Sequence, residues 1–427
     1  MKSNSPQTAE DPLGTDKPAS IQPWGSLRYR NYSLLFTASL FVTSAQQMHQ
    51  TQNLYQVYEL SGSAFQLGLT GLAQGIPLFV VGIFGGILAD FVDRRKLLLL
   101  TIGGNLIVAI ALGILTNIGA IRVWHVLVGT GLTAGLNIIL NPTRMAMISR
   151  LVPRSHLINA VSLNSSVSQS AHHIGPMLAG LTLAWMTTGN AYLCNALFYF
   201  PAAAGIFLLK TPNAAESAKE KFSIVSFLGG FRFLWRQPVV MALVLLDFAI
   251  IGIGYYRPLL PIFAKDILHV GPAGFGMLSS APAVGGILGT LLLLLIGDIE
   301  HKGLLSLWAF LAYAVGLGIF AISTNFWLSF FLLGVLGLSN SLQAVMRQTS
   351  FHLLTPDHVR GRAFAVFNMF SQGANSVGAT EVGFVAALIG APGSMLFGCA
   401  VGAILTLGCW AAMPPLRRFG TDGTRSV

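Results

Sequence analysis

Long apolar stretches separated by short polar segments dominate the chain from about residue 33 to residue 413. A helix that crosses the ~30 Å hydrocarbon core of a membrane needs about 20 mainly apolar residues. The pattern therefore predicts an all-α integral membrane protein with twelve transmembrane helices. We place these spans at residues 33–57, 66–89, 97–117, 123–147, 159–186, 190–209, 239–262, 274–297, 304–323, 326–348, 363–388 and 393–413.

Basic side chains concentrate in alternate connections between the spans. With the N-terminus placed in the cytoplasm, the cytoplasmic segments hold all of the 25 Lys and Arg residues except Arg122, Arg257 and Lys265. The positive-inside rule then places both termini in the cytoplasm, which requires an even number of spans. We therefore expect a multi-pass protein of the cytoplasmic (inner) membrane.

Polar segments divide the chain into two helical bundles. The longest polar connection follows the sixth span, and its apolar, aromatic part at 227–235 predicts a short helix on the membrane surface. The expected organisation is a disordered cytoplasmic tail (1–24), an N-terminal six-helix bundle (25–209), a cytoplasmic linker with this surface helix (210–236), a C-terminal six-helix bundle (237–415) and a second cytoplasmic tail (416–427).

Composition and charge exclude several classes of protein. Only 9% of residues are charged and 53% are apolar, whereas a soluble surface needs roughly 25–35% charged positions. The net charge of +10 lies in loops between apolar stretches, so we expect no nucleic-acid partner. The three cysteines have no metal-ligand spacing, and no phosphate-binding GxxxxGK[ST] motif is present. We expect no metal, no cofactor and no enzymatic activity.

The two halves of the sequence repeat each other. Transporters built from such repeats bind substrate between them, near the membrane midplane. Both copies begin on the same side, which makes the repeat parallel and predicts two equivalent six-helix units. At an offset of 203 residues, Gly131, Asn137, Arg144, Gln169, Gly175 and Gly180 recur as Gly334, Asn340, Arg347, Gln372, Gly378 and Gly383, and Gly68 recurs as Gly276 at an offset of 208.

The connection between the second and third spans resembles a motif of the major facilitator superfamily, G-x-x-x-D-R-x-G-R-R. Phe91 and Asp93 depart from it, replacing a basic residue and a glycine. The resemblance implies a loop that latches the two halves on the cytoplasmic side and opens when they move; the alternative is a plain topology signal. The matching residues are Gly86, Asp90, Arg94 and Arg95.

Three further segments narrow the resemblance. Gly175, Pro176 and Gly180 in the fifth span resemble the antiporter motif of drug exporters in the superfamily. Residues 230–238 and 359–365 are similar to the subgroup that holds the enterobactin exporter and macrolide-efflux-like permeases. The resemblance therefore implies export, and it covers about residues 25–415.

Titratable residues inside the spans are candidates for proton coupling. Charged groups in the membrane cost about 2.5–3.5 kcal/mol on insertion scales, so they usually serve a function. Asp247 lies in the seventh span, Glu381 in the eleventh and His173 in the fifth. The alternative for each is a structural hydrogen bond or ion pair. Arg257, ten residues after Asp247, is an ion partner or an anchor at the outer surface.

Amides within the spans are candidates for lining a substrate cavity. Gln46, Gln50 and Asn53 share one face of the first span at i, i+4 and i+7, and amides are costly against lipid. Interhelical packing is the alternative for this face. The other expected cavity residues are Asn137, Gln169, Tyr256, Asn340, Gln372 and Asn375.

Arg144 and Arg347 occupy equivalent positions in the two halves, near the cytoplasmic ends of the fourth and tenth spans. Their symmetry favours a pair of inner gates that contact the opposite half. The alternative is that both side chains extend to lipid phosphates.

Together these features predict a secondary transporter that works by alternating access. We expect a proton-coupled exporter of small amphipathic molecules, such as a drug-like compound or a siderophore. The alternatives are an importer of a small metabolite and a non-transporting membrane receptor or assembly protein. The expected partners are a small-molecule substrate, protons and the lipid bilayer, and the protein is expected to act as a monomer.

Overall fold

The computed structural model describes residues 24–91, 93–209, 252–297, 301–355 and 357–413, together with Trp235, Met241, Leu245, Leu246 and Phe248. The predicted tails, most of the predicted linker and Asp247 lie outside these residues. Within them all regular structure is helical, which confirms the all-α prediction.

The described residues of the N-terminal half form six long helices, and each contains all or nearly all of one predicted span. A short 3₁₀ turn, Gly25–Arg28, precedes them and is tied to the fifth helix by the Ser26 hydroxyl, which donates to Asn159 at 2.6 Å. The helices are α1 (Arg30–Ser61), α2 (Ala64–Phe91), α3 (Arg94–Asn117), α4 (Val123–Leu151), α5 (Arg154–Trp185) and α6 (Thr188–Phe207).

The described residues of the C-terminal half form four long helices. The last of them is interrupted at Gly390, whose φ of 80° ends one helix, and Pro392 follows in the next. It therefore covers the eleventh and twelfth predicted spans. The helices are α7 (Gly271–Ile296), α8 (Lys302–Ile322), α9 (Phe326–Leu354) and α10 (Asp357–Ala412).

The predicted seventh span is not one helix to residue 262. The backbone from Gly254 to Tyr256 is not helical, and it leads into a 3₁₀ turn, a short α-turn and a π-turn that ends at Ile267. Pro258 disfavours the α conformation of the residue before it. Gly398 of α10 also packs directly against the Ile253–Gly254 backbone. Proline and this close approach explain the interruption.

Six of the described helices are long and apolar enough to cross a membrane: α3, α4, α7, α8, α9 to Phe351, and α10 from Gly373. Helix α1 is the least apolar of the long helices in the described part of the chain because of its amides.

Hydrogen bonds between helix ends define two faces of the protein. At one end, Gln56 of α1 donates to Thr116 of α3 at 2.6 Å, and Thr188 at the start of α6 donates to Glu59 of α1 at 2.9 Å. These bonds place the connections after α1, α3 and α5 at the same end of the protein. We call this end the α1–α2 face. The opposite end, where α2 leads into α3, is called the α2–α3 face.

Candidate functional site

Two helix crossings join the halves near the α1–α2 face. Gly180 of α5 meets Gly276 of α7, and Gly68 of α2 meets Gly383 of α10. In each crossing a Cβ atom on one glycine would overlap the backbone of the other, so the helices touch without intervening side chains. Glycine at these positions is required by the close approach of the two backbones.

The two crossings are related by the internal repeat. Gly68 is equivalent to Gly276, and Gly180 is equivalent to Gly383. Each crossing therefore pairs the same two positions of the repeat, one from each half. The pairing indicates an approximate twofold relation between the halves.

The helices of one crossing do not stay in contact along their length. Positions 18 residues apart lie on the same helix face, since each residue turns the helix by about 100°. Ser162 shares the face of Gly180, and Leu294 shares the face of Gly276, yet both side chains are exposed. The α5 and α7 faces that meet at the glycines are therefore uncovered toward the α2–α3 face.

A polar contact adds to the closure at the α1–α2 face. The Tyr58 hydroxyl, at the end of α1, donates a hydrogen bond to the Asp266 carboxylate in the C-terminal half. The ammonium group of Lys265 lies 5.8 Å from the centre of the Tyr58 ring. Nearby, the rings of Tyr55 and Phe275 pack across the halves with centroids 5.3 Å apart.

Tyr58→Phe is expected to loosen this closure. A hydrogen bond to a charged group contributes about 1.5–3 kcal/mol, so its loss favours separation of the halves by about tenfold or more. The measurement is labelling of Ser279→Cys by an impermeant thiol reagent from the α1–α2 face, after replacement of Cys194, Cys399 and Cys409. Tyr55→Phe is the matched control, because the ring contact with Phe275 is kept; equal labelling of both variants would contradict the role of the Tyr58 hydroxyl.

A cavity lies between the halves, just below the crossings. Gln74 is ten residues inside α2 and Ser279 eight residues inside α7, which places them roughly 12–15 Å from the α1–α2 face, near the middle of a membrane. The cavity has a volume of about 30 Å³, so its walls lie close together in this conformation. The N-terminal half contributes Gln50, Thr51, Leu54, Thr70, Gln74 and Pro176; the C-terminal half contributes Tyr255, Tyr256, Arg257, Pro258, Leu260, Phe275, Ser279, Pro282 and Ala379.

The polar groups of the cavity come from both halves. Gln50 of α1 donates to Gln74 of α2 at 3.1 Å. The Arg257 guanidinium hydrogen bonds the Tyr256 side chain. The buried Ser279 hydroxyl has no hydrogen-bond partner among the described residues. Because the segment that carries Tyr255 and Tyr256 is not helical, backbone and side chains both line the site, as in the interrupted helices of transporters.

The predicted cavity residues divide into two groups. Gln50 and Tyr256 line the cavity. Asn53 does not line it. Asn53 is 2% exposed and hydrogen bonds Thr130 and Tyr192 inside the N-terminal half, so it takes part in packing between helices. Helix α1 touches α4, α5 and α6 as well as α2, and Gln52 of α1 donates to Thr182 of α5 and to the Ala191 carbonyl of α6.

The other predicted cavity residues lie away from the cavity or outside the description. Gln46 donates to Asn137 at 2.5 Å, so this pair joins α1 to α4. Asn340 is exposed on α9, and Asn375 is half-buried and donates to the Ser371 carbonyl. The side chains of Gln169 and Gln372 lie outside the described part.

Glu381 is the one predicted proton-coupling residue whose side chain is described; the side chain of His173 and all of Asp247 are not. It is half-buried, and its Oε2 has no hydrogen-bond partner among the described residues. Ala379 of the same helix lines the cavity, and a residue two positions further on points to nearly the opposite side. Glu381 therefore faces away from the cavity.

The loop that resembles the superfamily motif is tied within the N-terminal half. The Asp93 carboxylate caps α3, accepting from the backbone N–H groups of Arg95 (2.9 Å) and Lys96 (3.1 Å), which gives an aspartate a structural role where the motif has a glycine. Arg94 donates to the Ala146 carbonyl of α4 at 3.1 Å. Arg95 donates to the carbonyls at the end of α6. Gly86 and Asp90 belong to α2, but their side chains lie outside the description.

The two symmetric arginines contact residues of their own halves, Arg144 buried and Arg347 half-buried. Arg144 is 7% exposed and donates to Thr43 of α1 at 3.0 Å. The guanidinium of Arg347 lies 5.3 Å from the centre of the Phe367 ring of α10. Among the described residues, the Arg144 guanidinium bonds Thr43 and Asn141 of its own half, and its role as an inner gate stays a prediction.

The three residues of the antiporter-like motif have three different surroundings. Gly175 packs against the α1 backbone at Gln47, Pro176 lines the cavity, and Gly180 forms a crossing with α7. One stretch of α5 therefore contacts its own half, the cavity and the opposite half in turn.

Sequence reasoning missed several residues of the cavity. Thr70 and Gln74 lie four residues apart on one face of the apolar second span, and Ser279 lies in the apolar eighth span; this polarity inside apolar spans is the signal that could have identified them. Arg257 was left between an ion partner and a surface anchor, and the structure places it in the cavity.

Comparison with known proteins supports this architecture. A family model described as transmembrane secretion effector matches residues 21–420. The enterobactin exporter EntS of Shigella boydii is 27% identical over 376 residues, covering 85% of this chain and 87% of the exporter. EntS of Escherichia coli matches with the same identity and coverage.

Solved structures share the fold. A bacterial homologue of the human lysosomal transporter Spinster, inward-facing and unoccupied, has a TM-score of 0.69 at 14% identity, covering 91% of this chain and 98% of that one. The nucleoside transporter NupG has a TM-score of 0.70 at 12% identity, covering 91% and 99%.

The family match spans both helical halves and the connection between them. It confirms the resemblance read from the loop after α2 and from the fifth span. The protein is a multi-pass membrane transporter and not an enzyme. The chain belongs to the transmembrane secretion effector family of the major facilitator superfamily, in the subgroup that holds the enterobactin exporters.

Proposed function

We propose that the protein is a proton-coupled exporter of small amphipathic molecules in the cytoplasmic membrane. It has twelve spans, works by alternating access and acts as a monomer. The observation that carries the proposal is the cavity between the halves, which lies below two backbone-to-backbone crossings. Such a site becomes accessible from one side of the membrane or the other as the crossings open and close.

The α2–α3 face is the cytoplasmic one in this proposal. The basic residues Arg94, Arg95 and Lys96 lie at the α2–α3 face, whereas Arg122 and Lys265 lie toward the α1–α2 face. The Gly180–Gly276 crossing is closed toward the α1–α2 face and its helix faces are uncovered toward the other. The structure then corresponds to a conformation in which the cytoplasmic side is the more open one.

Export is favoured over import by the relatives. The similar curated proteins are enterobactin exporters, and the family is described by secretion. Efflux and uptake of a tracer in oriented proteoliposomes distinguish the two directions, and an absence of either would support a receptor.

Proton coupling is assigned to Glu381, with Asp247 and His173 as further candidates. The half-buried Glu381 carboxyl has an oxygen without a partner among the described residues, so a proton there meets no competing hydrogen bond. It faces away from the cavity, which separates the proton from the substrate. Coupling then passes through movement of α10, the helix that also carries Gly383.

Glu381→Gln is expected to abolish transport driven by a pH gradient, because an amide cannot release a proton. Exchange of substrate across the membrane without a gradient should continue. The measurement compares gradient-driven efflux with counterflow in proteoliposomes, and Glu59→Gln, at the α1–α2 face, is the control. Gradient-driven efflux at the rate of the unsubstituted protein would remove Glu381 from the mechanism. Asp247→Asn and His173→Gln are tested in the same way.

A further inference from the structure

We propose that the cavity binds a ligand that carries an anionic oxygen group, such as a carboxylate or a phenolate, and that Arg257 binds this group. The inference names the substrate class for the cavity of the proposed exporter, and in that respect it rests on the proposed function. Binding to the cavity can nevertheless be measured without transport.

Arg257 is a cation that lines the cavity between the halves, and it has no carboxylate partner among the described residues. Its neighbours that interact electrostatically are the side chains of Tyr255, Tyr256 and Tyr313, which are neutral phenols. Two acids in the described part are directed elsewhere: Asp266 accepts from Tyr58, and Glu381 faces away from the cavity. Charged residues at this depth pair with an ion or mark a substrate path.

Hydrogen-bond donors surround the same space. The Ser279 hydroxyl is buried without a described partner, and the amides of Gln50 and Gln74 present N–H groups beside it. A guanidinium group holds a planar oxygen pair through two parallel hydrogen bonds, and a hydroxyl or an amide can donate to the same oxygens. A cavity that offers hydrogen-bond donors and no described carboxylate favours an anionic ligand over a cationic one.

The rest of the wall is apolar and aromatic. Leu54, Leu260, Phe275 and Pro282 come from both halves and form apolar parts of the same wall. Apolar walls with few polar groups suit a ligand whose body is apolar and whose orientation is fixed by one polar end. The ligand class is therefore an amphipathic anion with an aromatic or branched apolar body.

Asp247 offers an internal alternative, since it precedes Arg257 by ten residues and lies outside the described part. If Asp247 neutralises Arg257, the cavity has no need of an anion. Loss of Asp247 would then create anion binding, whereas the proposal expects binding in its presence. Anion binding is therefore compared between the unsubstituted chain and Asp247→Asn.

The test measures binding of three probes to the full purified chain: 1-naphthoate, the neutral 1-naphthamide and the cationic 1-naphthylmethylamine. Fluorescence titration is done in detergent without any gradient. We expect 1-naphthoate to bind at least about tenfold more tightly than the other two, since the charged hydrogen bonds are made only by the anion.

Two substitutions at one position separate charge from folding. Arg257→Gln is expected to weaken 1-naphthoate binding by about tenfold or more and to leave the affinity for 1-naphthamide unchanged. Arg257→Lys should recover part of the loss, because the charge remains while the two parallel hydrogen bonds do not. Arg122→Gln, an exposed arginine at the start of α4, is the matched control.

Three outcomes would overturn the proposal: equal affinity for the three probes, 1-naphthoate affinity unchanged in Arg257→Gln, or 1-naphthoate binding that appears only in Asp247→Asn. Absence of binding by all three probes to the unsubstituted chain also counts against it. Efflux of 1-naphthoate from proteoliposomes is recorded separately. Arg257-dependent binding without efflux would support the site and contradict the proposed export.

Discussion

Gly180→Ala is expected to reduce transport by about tenfold or more while leaving the protein folded. The added methyl group would overlap the backbone of Gly276, so α5 and α7 could not reach the closed crossing. Forcing an extra methyl into a packed contact costs about 1–3 kcal/mol, which is enough to shift a conformational equilibrium by this factor. The halves should rest in a state that is more open at the α1–α2 face.

Two measurements check this expectation. Efflux from proteoliposomes gives the rate, and labelling of Ser279→Cys from the α1–α2 face gives the accessibility of the cavity. Gly103→Ala is the matched control, because a Cβ at Gly103 of α3 has nothing within 4 Å. Labelling equal to that of the protein without the Gly180 substitution, combined with slow efflux, would show that the Gly180 crossing does not control access to the cavity.

Gly175→Ala is expected to lower the stability of the N-terminal half. A Cβ at Gly175 would lie 2.9 Å from the Met48 nitrogen and the Ser44 carbonyl oxygen, so it would meet the α1 backbone, which cannot rotate away. Helices α1 and α5 belong to the same half, so their contact is needed in every conformation. A cost of about 1–3 kcal/mol should lower Tm by roughly 5 °C.

Thermal unfolding in detergent and the yield of monodisperse protein measure this effect. Gly408→Ala in α10 is the control, since a Cβ there has nothing within 4 Å and the substitution should be neutral or slightly stabilising. A Tm for Gly175→Ala equal to that of the control would contradict the packing role. Two glycines only five residues apart thus give different expected results, one on access and one on folding.

Most of the fold follows from the sequence because membrane spans are long and nearly continuous in hydrophobicity. Each long helix described in the N-terminal half contains all or nearly all of a predicted span, and the interruption at Gly390 falls between the two last predicted spans. The exception is the stretch at Gly254–Tyr256. It is apolar enough to read as helix, and only Pro258 and the distant Gly398 show why the backbone leaves that conformation.

The cavity was harder to predict because polarity alone does not tell which neighbour a side chain meets. Gln50 and Asn53 are less than one turn apart on α1, yet one lines the cavity and the other bonds Tyr192 inside the bundle. Helix α1 has neighbours on nearly every side, so both directions are buried from lipid. The repeat identified Gly68, Gly180, Gly276 and Gly383 as equivalent positions, but their contact depends on the packing of the two halves.

The paired crossings have a consequence for how the halves associate. In a symmetric dimer with an isologous interface, position i of one subunit contacts position j of the other, and j contacts i. Gly68 with Gly383 and Gly276 with Gly180 follow this rule within one polypeptide. The interface between the halves is therefore that of a dimer whose two subunits have been fused. Its two contacts lie on either side of one pseudo-twofold axis, so a rocking movement that opens one of them opens the other.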